Sequence, residues 1–145
     1  MAQLRRLAYP VDLQVRPDTV LVSFPDIPEA LTEGNTEREA LSEATDCLIA
    51  ALGGYVNDGR RIPKPSVGTG NGPVVELPAL VAAKLALYEA ICEQDIDVGE
   101  LAERLSGAAT TVRRLLDLDH RSHIDQIETA LEALGKRLML EVYAA

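Results

Sequence analysis

Four arginines, Arg104, Arg113, Arg114 and Arg121, fall within residues 104–123, where the only carboxylates are Asp117 and Asp119. Arginine can hold a guanine edge through two parallel hydrogen bonds, and threonine can bond a base or a phosphate. The spacing around them is that of a helix-turn-helix. In LAERLSGAATTVRRLL, residues 101–116, Leu101, Leu105, Val112 and Leu115 fall where the inner faces of two crossed helices meet. Ala102 is small where the second helix approaches, and Gly107 sits in the turn. The second helix then presents Ala109, Thr110, Thr111, Arg113 and Arg114 outward, a set suited to a duplex groove. His120, Arg121 and Ser122, just before the next helix, are expected to hold phosphates.

Other chemistries find less support. His120 and His123 have no third ligand and no cysteine nearby, so no metal site is expected. Hydrolysis of nucleic acid by metal ions needs several converging carboxylates. Asp12 lies on a strand without companions, while Asp26, Glu29 and Glu33 flank turns. There is no nucleophile–base pair, and the glycines of GTGNGP precede a strand and lack the Lys-Ser/Thr of a phosphate loop. No cofactor is expected, and the chain reads as a non-enzyme.

The arginine helix must be held by its neighbours. Helices are expected over about 79–94, from Asp97 to Leu105, over 108–116, and from Ser122 to Gly135. Asp97 with Glu100 and Ser122 with Asp125 supply capping spacings. Earlier in the chain, Tyr9, Val11, Leu13 and Val15 alternate as in a strand with one buried face. Val20–Phe24 predicts a second strand, stopped by Pro25, and Ala30–Glu33 a short third. Thr36 with Glu39 opens a long helix whose stripe is Ala40, Leu41, Ala44, Cys47, Leu48, Ala51, Leu52 and Tyr55.

Residues 58–73, DGRRIPKPSVGTGNGP, read as a linker. The expected division is 1–58 for an α/β domain, 59–73 for the linker and 74–145 for a helix-turn-helix and dimerisation domain. Val74–Leu77 and Leu138–Tyr143 look like two short strands that pair with each other, within one chain or across a dimer. The fold class is therefore α+β: a small three-stranded sheet with a covering helix, followed by an all-α domain with short flanking dimerisation strands.

Of 145 residues, 47% are apolar and 26% charged, a composition that folds. The net charge is −9. Residues 1–66 carry 7 basic side chains against 10 acidic ones, and residues 67–145 carry 7 against 13. Such a balance favours a basic protein partner, although a local basic strip can still bind DNA. Cys47 and Cys92 read as reduced core thiols. No apolar run has the length of a membrane span, and Met1–Arg6 has no signal-peptide pattern, so a cytoplasmic protein is expected.

The run YPVDLQVRPDTVLVSFPDIPEALTEGNTEREALSEA resembles the HicB antitoxin family. The matching pieces are Tyr9-Pro10, Val22-Ser23-Phe24-Pro25-Asp26-Ile27-Pro28, and Gly34-x-Thr36 leading to Glu39-Ala40. Ile62-Pro63-x-Pro65-Ser66, Val75-Glu76-Leu77-Pro78 and the C-terminal helix-turn-helix match as well, so the resemblance covers nearly the whole chain. One departure is Glu29-Ala30, where many members carry glycine and cysteine; it is expected to alter local toxin contacts and to leave the fold intact. The resemblance implies a trimmed ribonuclease-H-like N-terminal domain without catalysis. That domain would bind a small basic HicA toxin, an RNA-cleaving enzyme, and block its catalytic histidine. The candidate toxin contacts are Asp12, Phe24, Asp26, Ile27, Glu29 and Glu33, and residues 1–66 are expected to suffice.

The resemblance further implies autoregulation of the toxin–antitoxin operon. A dimer or higher homo-oligomer on an inverted repeat of double-stranded DNA is expected. Two rivals remain at this level: a stand-alone repressor that senses a small ligand, and a residual metal nuclease centred on Asp12.

Overall fold

The computed structural model describes residues 7–66 and 72–144. It divides into two compact units, the first ending at Pro78 and the second beginning at Ala79.

In the first unit the expected opening strand is two strands in two sheets. β1 (Ala8–Pro10) pairs antiparallel with β5 (Val74–Glu76), Tyr9 opposite Val75. β2 (Asp12–Val15) instead joins β3 (Val20–Phe24) and β4 (Ile27–Gly34) in an antiparallel sheet of order β2-β3-β4. The chain changes sheets at Val11, which is buried and whose N–H donates to the Pro73 carbonyl. Tyr9 and Val11 thus reach the core, whereas Val15 lies largely exposed.

β4 is longer than its expected Ala30–Glu33, because Pro28 reads as a break in the sequence. As β4 is an edge of this sheet, a residue without an N–H can be accommodated there. A register shift at Ser23/Phe24 brings Ile27 opposite Phe24.

Helix α1 (Glu37–Asn57) covers one face of the three-stranded sheet. It starts where the Thr36 hydroxyl accepts from the Glu39 N–H at 3.1 Å, the capping bond that the spacing predicts. Ala40, Ala44, Leu48, Leu52 and Tyr55 are its buried stripe, meeting Val20, Val22 and Phe24 of β3 and Ile27 and Ala30 of β4 in the core. Leu41, Cys47 and Ala51 only flank that stripe.

Much of the expected linker packs on this unit. Ile62 is buried, the Tyr9 hydroxyl donates to the Pro63 carbonyl at 2.7 Å, and Ser66 gives both its N–H and its hydroxyl proton to Asp26. β5 likewise belongs here through β1. The expected pairing of Val74–Leu77 with Leu138–Tyr143 is therefore corrected in its within-chain form: Val74–Glu76 pairs with Ala8–Pro10. Residues 136–144 form no strand within the single chain.

The second unit consists of α2 (Ala79–Glu93), α3 (Val98–Arg104), α4 (Ala109–Leu116) and α5 (Ile124–Ala133). α2 is apolar nearly all round and packs against both α4 and α5. Leu101 and Ala102 of α3, Val112 and Leu115 of α4, and Ile127, Leu131 and Leu134 at α5 complete the core. Among the described residues, no helix is long and apolar enough to cross a membrane. Cys47 and Cys92 are free and half-buried, not fully enclosed.

Candidate functional site

α3 and α4 are joined by a tight turn whose geometry follows from its hydrogen bonds. The Ser106 N–H donates to the Glu103 carbonyl at 3.0 Å, and the Gly107 N–H to the Ala102 carbonyl at 2.9 Å. This is a Schellman cap, and the left-handed residue in it is Ser106, at φ 52°. Gly107, which the sequence singles out, has ordinary backbone angles and room for a side chain. Ala102 is buried, as expected of a residue at the helix crossing.

On α4, Val112, Leu115 and Leu116 point inward, while Thr110, Thr111, Arg113 and Arg114 are exposed and Ala109 half-buried. Among the described residues, neither arginine pairs with a carboxylate. Two guanidinium groups on a short rigid helix are thus left with their donors turned to solvent. His120 and Arg121 are also exposed.

Ser122 is not. Its side chain is buried, accepts from the Lys84 ammonium at 2.7 Å, and lies 3.3 Å from the Arg114 carbonyl and 2.9 Å from His120 Nδ1. A hydroxyl so engaged cannot also serve a phosphate. The sequence pattern missed Lys84 itself, which is fully buried. The signal is there in hindsight: Lys84 lies four residues after Leu80 and three before Leu87, on the apolar stripe of its helix.

The six residues singled out on the first unit separate into three groups. Phe24 and Ile27 are core side chains beneath α1 and cannot touch a partner at the surface. Asp26 is tied to Ser66, and Glu29 accepts from the Tyr55 hydroxyl at 2.6 Å and from Arg60 at 3.2 Å. The hydrogen bond from Tyr55 is the main reason the Glu29 carboxyl sits below the usual glutamate range, and the same bond pushes the Tyr55 phenol up. Arg60 also lies over the Tyr55 ring, 4.0 Å from its centroid.

Asp12 and Glu33 are exposed, and the strand register places them on the sheet face opposite α1. Asp12 stands opposite Ser23, Gln14 opposite Leu21, and Leu21 opposite Glu33. Leu31, opposite Ser23 on the same face, is 64% exposed and was not picked out from sequence. Its strand alternation carried the signal, since residues 31 and 33 share a face. Among the described residues, no group of three or more His, Cys, Asp or Glu side chains gathers as a metal site would require.

Each of the two small units thus turns its own set of polar side chains outward. Comparison makes this specific: the HicB-like antitoxin family of bacterial toxin–antitoxin systems matches residues 8–86, and the chain belongs to that family. It is 40% identical over 135 residues to the antitoxin HicB of Escherichia coli (strain K12), covering 92% of this chain and 98% of that protein. It is 41% identical over 136 residues to antitoxin HicB 2 of Photorhabdus laumondii subsp. laumondii, with 94% and 96% covered. Antitoxin HicB of Pseudomonas fluorescens is 40% identical over 138 residues, with 94% of each chain covered.

Proposed function

We propose that this antitoxin neutralises a small basic HicA-type toxin with its first unit and represses its own operon through its second. α3 and α4 act as a helix-turn-helix, with α4 in the major groove of operator DNA. The observation that carries the DNA reading is the outer face of α4, where Arg113 and Arg114 stand exposed beside Thr110 and Thr111 and, among the described residues, have no carboxylate partner. Arg113 and Thr110 read bases, while Arg121 and His120 hold phosphates. Ser122 holds the loop and makes no phosphate contact.

On the first unit, a trimmed ribonuclease-H-like module, the toxin lies against the open sheet face carrying Asp12, Leu31 and Glu33. An exposed leucine on a face that also carries two carboxylates suits a cationic partner. Glu29 supports that surface indirectly, through Tyr55 and Arg60. The toxin-binding unit extends to Pro78, because truncation at Ser66 would strip β1 of its partner β5. A dimer sits on an inverted repeat in the cytoplasm, and the exposed Met139, Leu140 and Val142 are the side chains it would bury.

The test is co-purification of the full chain with the product of a neighbouring short basic gene, followed by a titration with the duplex upstream of both. A complex that shifts this duplex supports the reading. Isolation without a small cationic companion, and indifference to the duplex, would refute it.

A further inference from the structure

Four of the five helices end alike among the described residues. At the close of α1, α2, α3 and α5, the residues Gly59, Asp95, Ser106 and Gly135 adopt positive φ. The two N–H groups that follow each helix turn back onto its last carbonyls, as between Ser106 and Glu103. That backbone cap satisfies acceptors which a helix cannot satisfy for itself.

α4 ends differently. Asp117, its C-cap, is extended at φ −78° and ψ 111°, and its N–H goes to the Arg113 and Arg114 carbonyls. The Arg114 carbonyl also receives the Lys84 ammonium at 2.9 Å, donated from α2, and has the Ser122 hydroxyl at 3.3 Å. Lys84 reaches Ser122 as well, so one buried cation joins α2, the end of α4 and the loop before α5. Ten residues further on, just past the end of α2, Gln94 donates to the carbonyl of Leu134, the C-cap of α5, at 2.7 Å. Burial holds the Lys84 ammonium below the usual lysine range, and Asp117 nearby pulls it partly back.

A cation at the negative end of a helix dipole is favourable, and a buried one is confined to the partners it can reach. A left-handed cap fixes only the chain leaving the helix. A bond from another element also fixes the direction in which the helix points. We propose that Lys84 is a positioning residue for DNA recognition, clamping the carboxyl end of α4 so that Thr110 and Arg113 meet base edges in register. This rests on the reading of α4 as the DNA-contacting helix. Lys84 itself, having no exposure, touches no nucleic acid.

The experiment uses the full chain with two variants, Lys84→Met and Ser122→Ala. Each is titrated against the duplex upstream of its own gene and a scrambled duplex of equal length, and helicity is monitored by circular dichroism. Lys84→Met should keep its helicity and its affinity for the scrambled duplex, within about two-fold, since the phosphate-facing cations remain. Its preference for the cognate duplex should fall by roughly ten-fold or more, with a smaller loss of the same kind for Ser122→Ala.

A folded Lys84→Met with undiminished preference overturns the proposal. If Lys84→Met does not fold, Ser122→Ala decides, and full discrimination by that variant overturns it equally. Parallel weakening toward both duplexes would mark Lys84 as a structural residue only, and also overturns it. A wild-type protein that fails to tell the duplexes apart removes the DNA reading itself, an outcome distinct from the others.

Discussion

A Cβ added to Gly34 would stand 2.5 Å from the amide nitrogen of Ala40 and 2.8 Å from its Cα. The end of β4 and the first turn of α1 therefore touch backbone to backbone, and neither can yield as the tip of a side chain would. Gly34 carries an ordinary φ, so contact and not torsion excludes other residues. Gly34→Ala should destabilise the first unit by about 1–3 kcal/mol, read from urea denaturation. Unchanged stability would mean that β4 and α1 are not held together so closely.

The turn between α3 and α4 inverts the usual expectation for a serine–glycine pair. Ser106 bears the left-handed strain, so Ser106→Gly should raise the thermal midpoint of the second unit, by the equivalent of about 1 kcal/mol. Gly107→Ala should leave it nearly unchanged or slightly raised, because its Cβ would meet nothing closer than 3.9 Å. A melt in which Gly107→Ala is the damaging change would contradict this geometry.

Acid should loosen the first unit through Glu29. Its folded pKa lies below the ordinary 4.5, chiefly because Tyr55 donates to its carboxylate. A carboxyl depressed in the fold contributes stability above its unfolded pKa, and that contribution is lost as pH falls through the folded value. Glu29→Gln should therefore flatten the decline in stability below about pH 4.5, and Tyr55→Phe should do so in part. Matching acid profiles for wild type and Glu29→Gln would show that this carboxylate is not linked to folding.

On the second unit, Arg113→Ala should cost about 1–3 kcal/mol in affinity for the cognate duplex and relax its sequence preference. Arg121→Ala should weaken binding to all sequences alike and lower the salt dependence by about one phosphate contact. Fluorescence anisotropy across a salt series separates the two effects. Identical behaviour of both variants would reject the division between base reading and phosphate holding.

Much of this architecture is legible in the residue pattern because local signals and tertiary packing agree. Thr36 and Asp97 cap α1 and α3 as their spacing implies, and the arginine-bearing helix has its expected inner and outer faces. The failures occur where a long-range partner decides. Tyr9–Val15 alternates like one strand, yet its halves join different sheets, because β5 arrives from more than sixty residues later to claim β1. Leu138–Tyr143 has the texture of a strand, yet it forms none within the single chain, where β1 takes the place beside β5. Phe24 and Ile27 flank a turn, and only the register shift beside Phe24 reveals that both point into the core. Lys84 and Ser122 look like ordinary polar residues until the fold brings α2 beside the end of α4.

The measurement that bears most directly on the division of labour is a paired titration of the full-length double variant Arg113→Ala/Arg114→Ala. It is titrated against the purified toxin and against the upstream duplex. Toxin affinity should match the wild type, while duplex affinity drops by roughly 100-fold or more, as expected for two lost arginine contacts. Equal loss toward both partners, or undisturbed DNA binding, would contradict the assignment of separate surfaces to the two units.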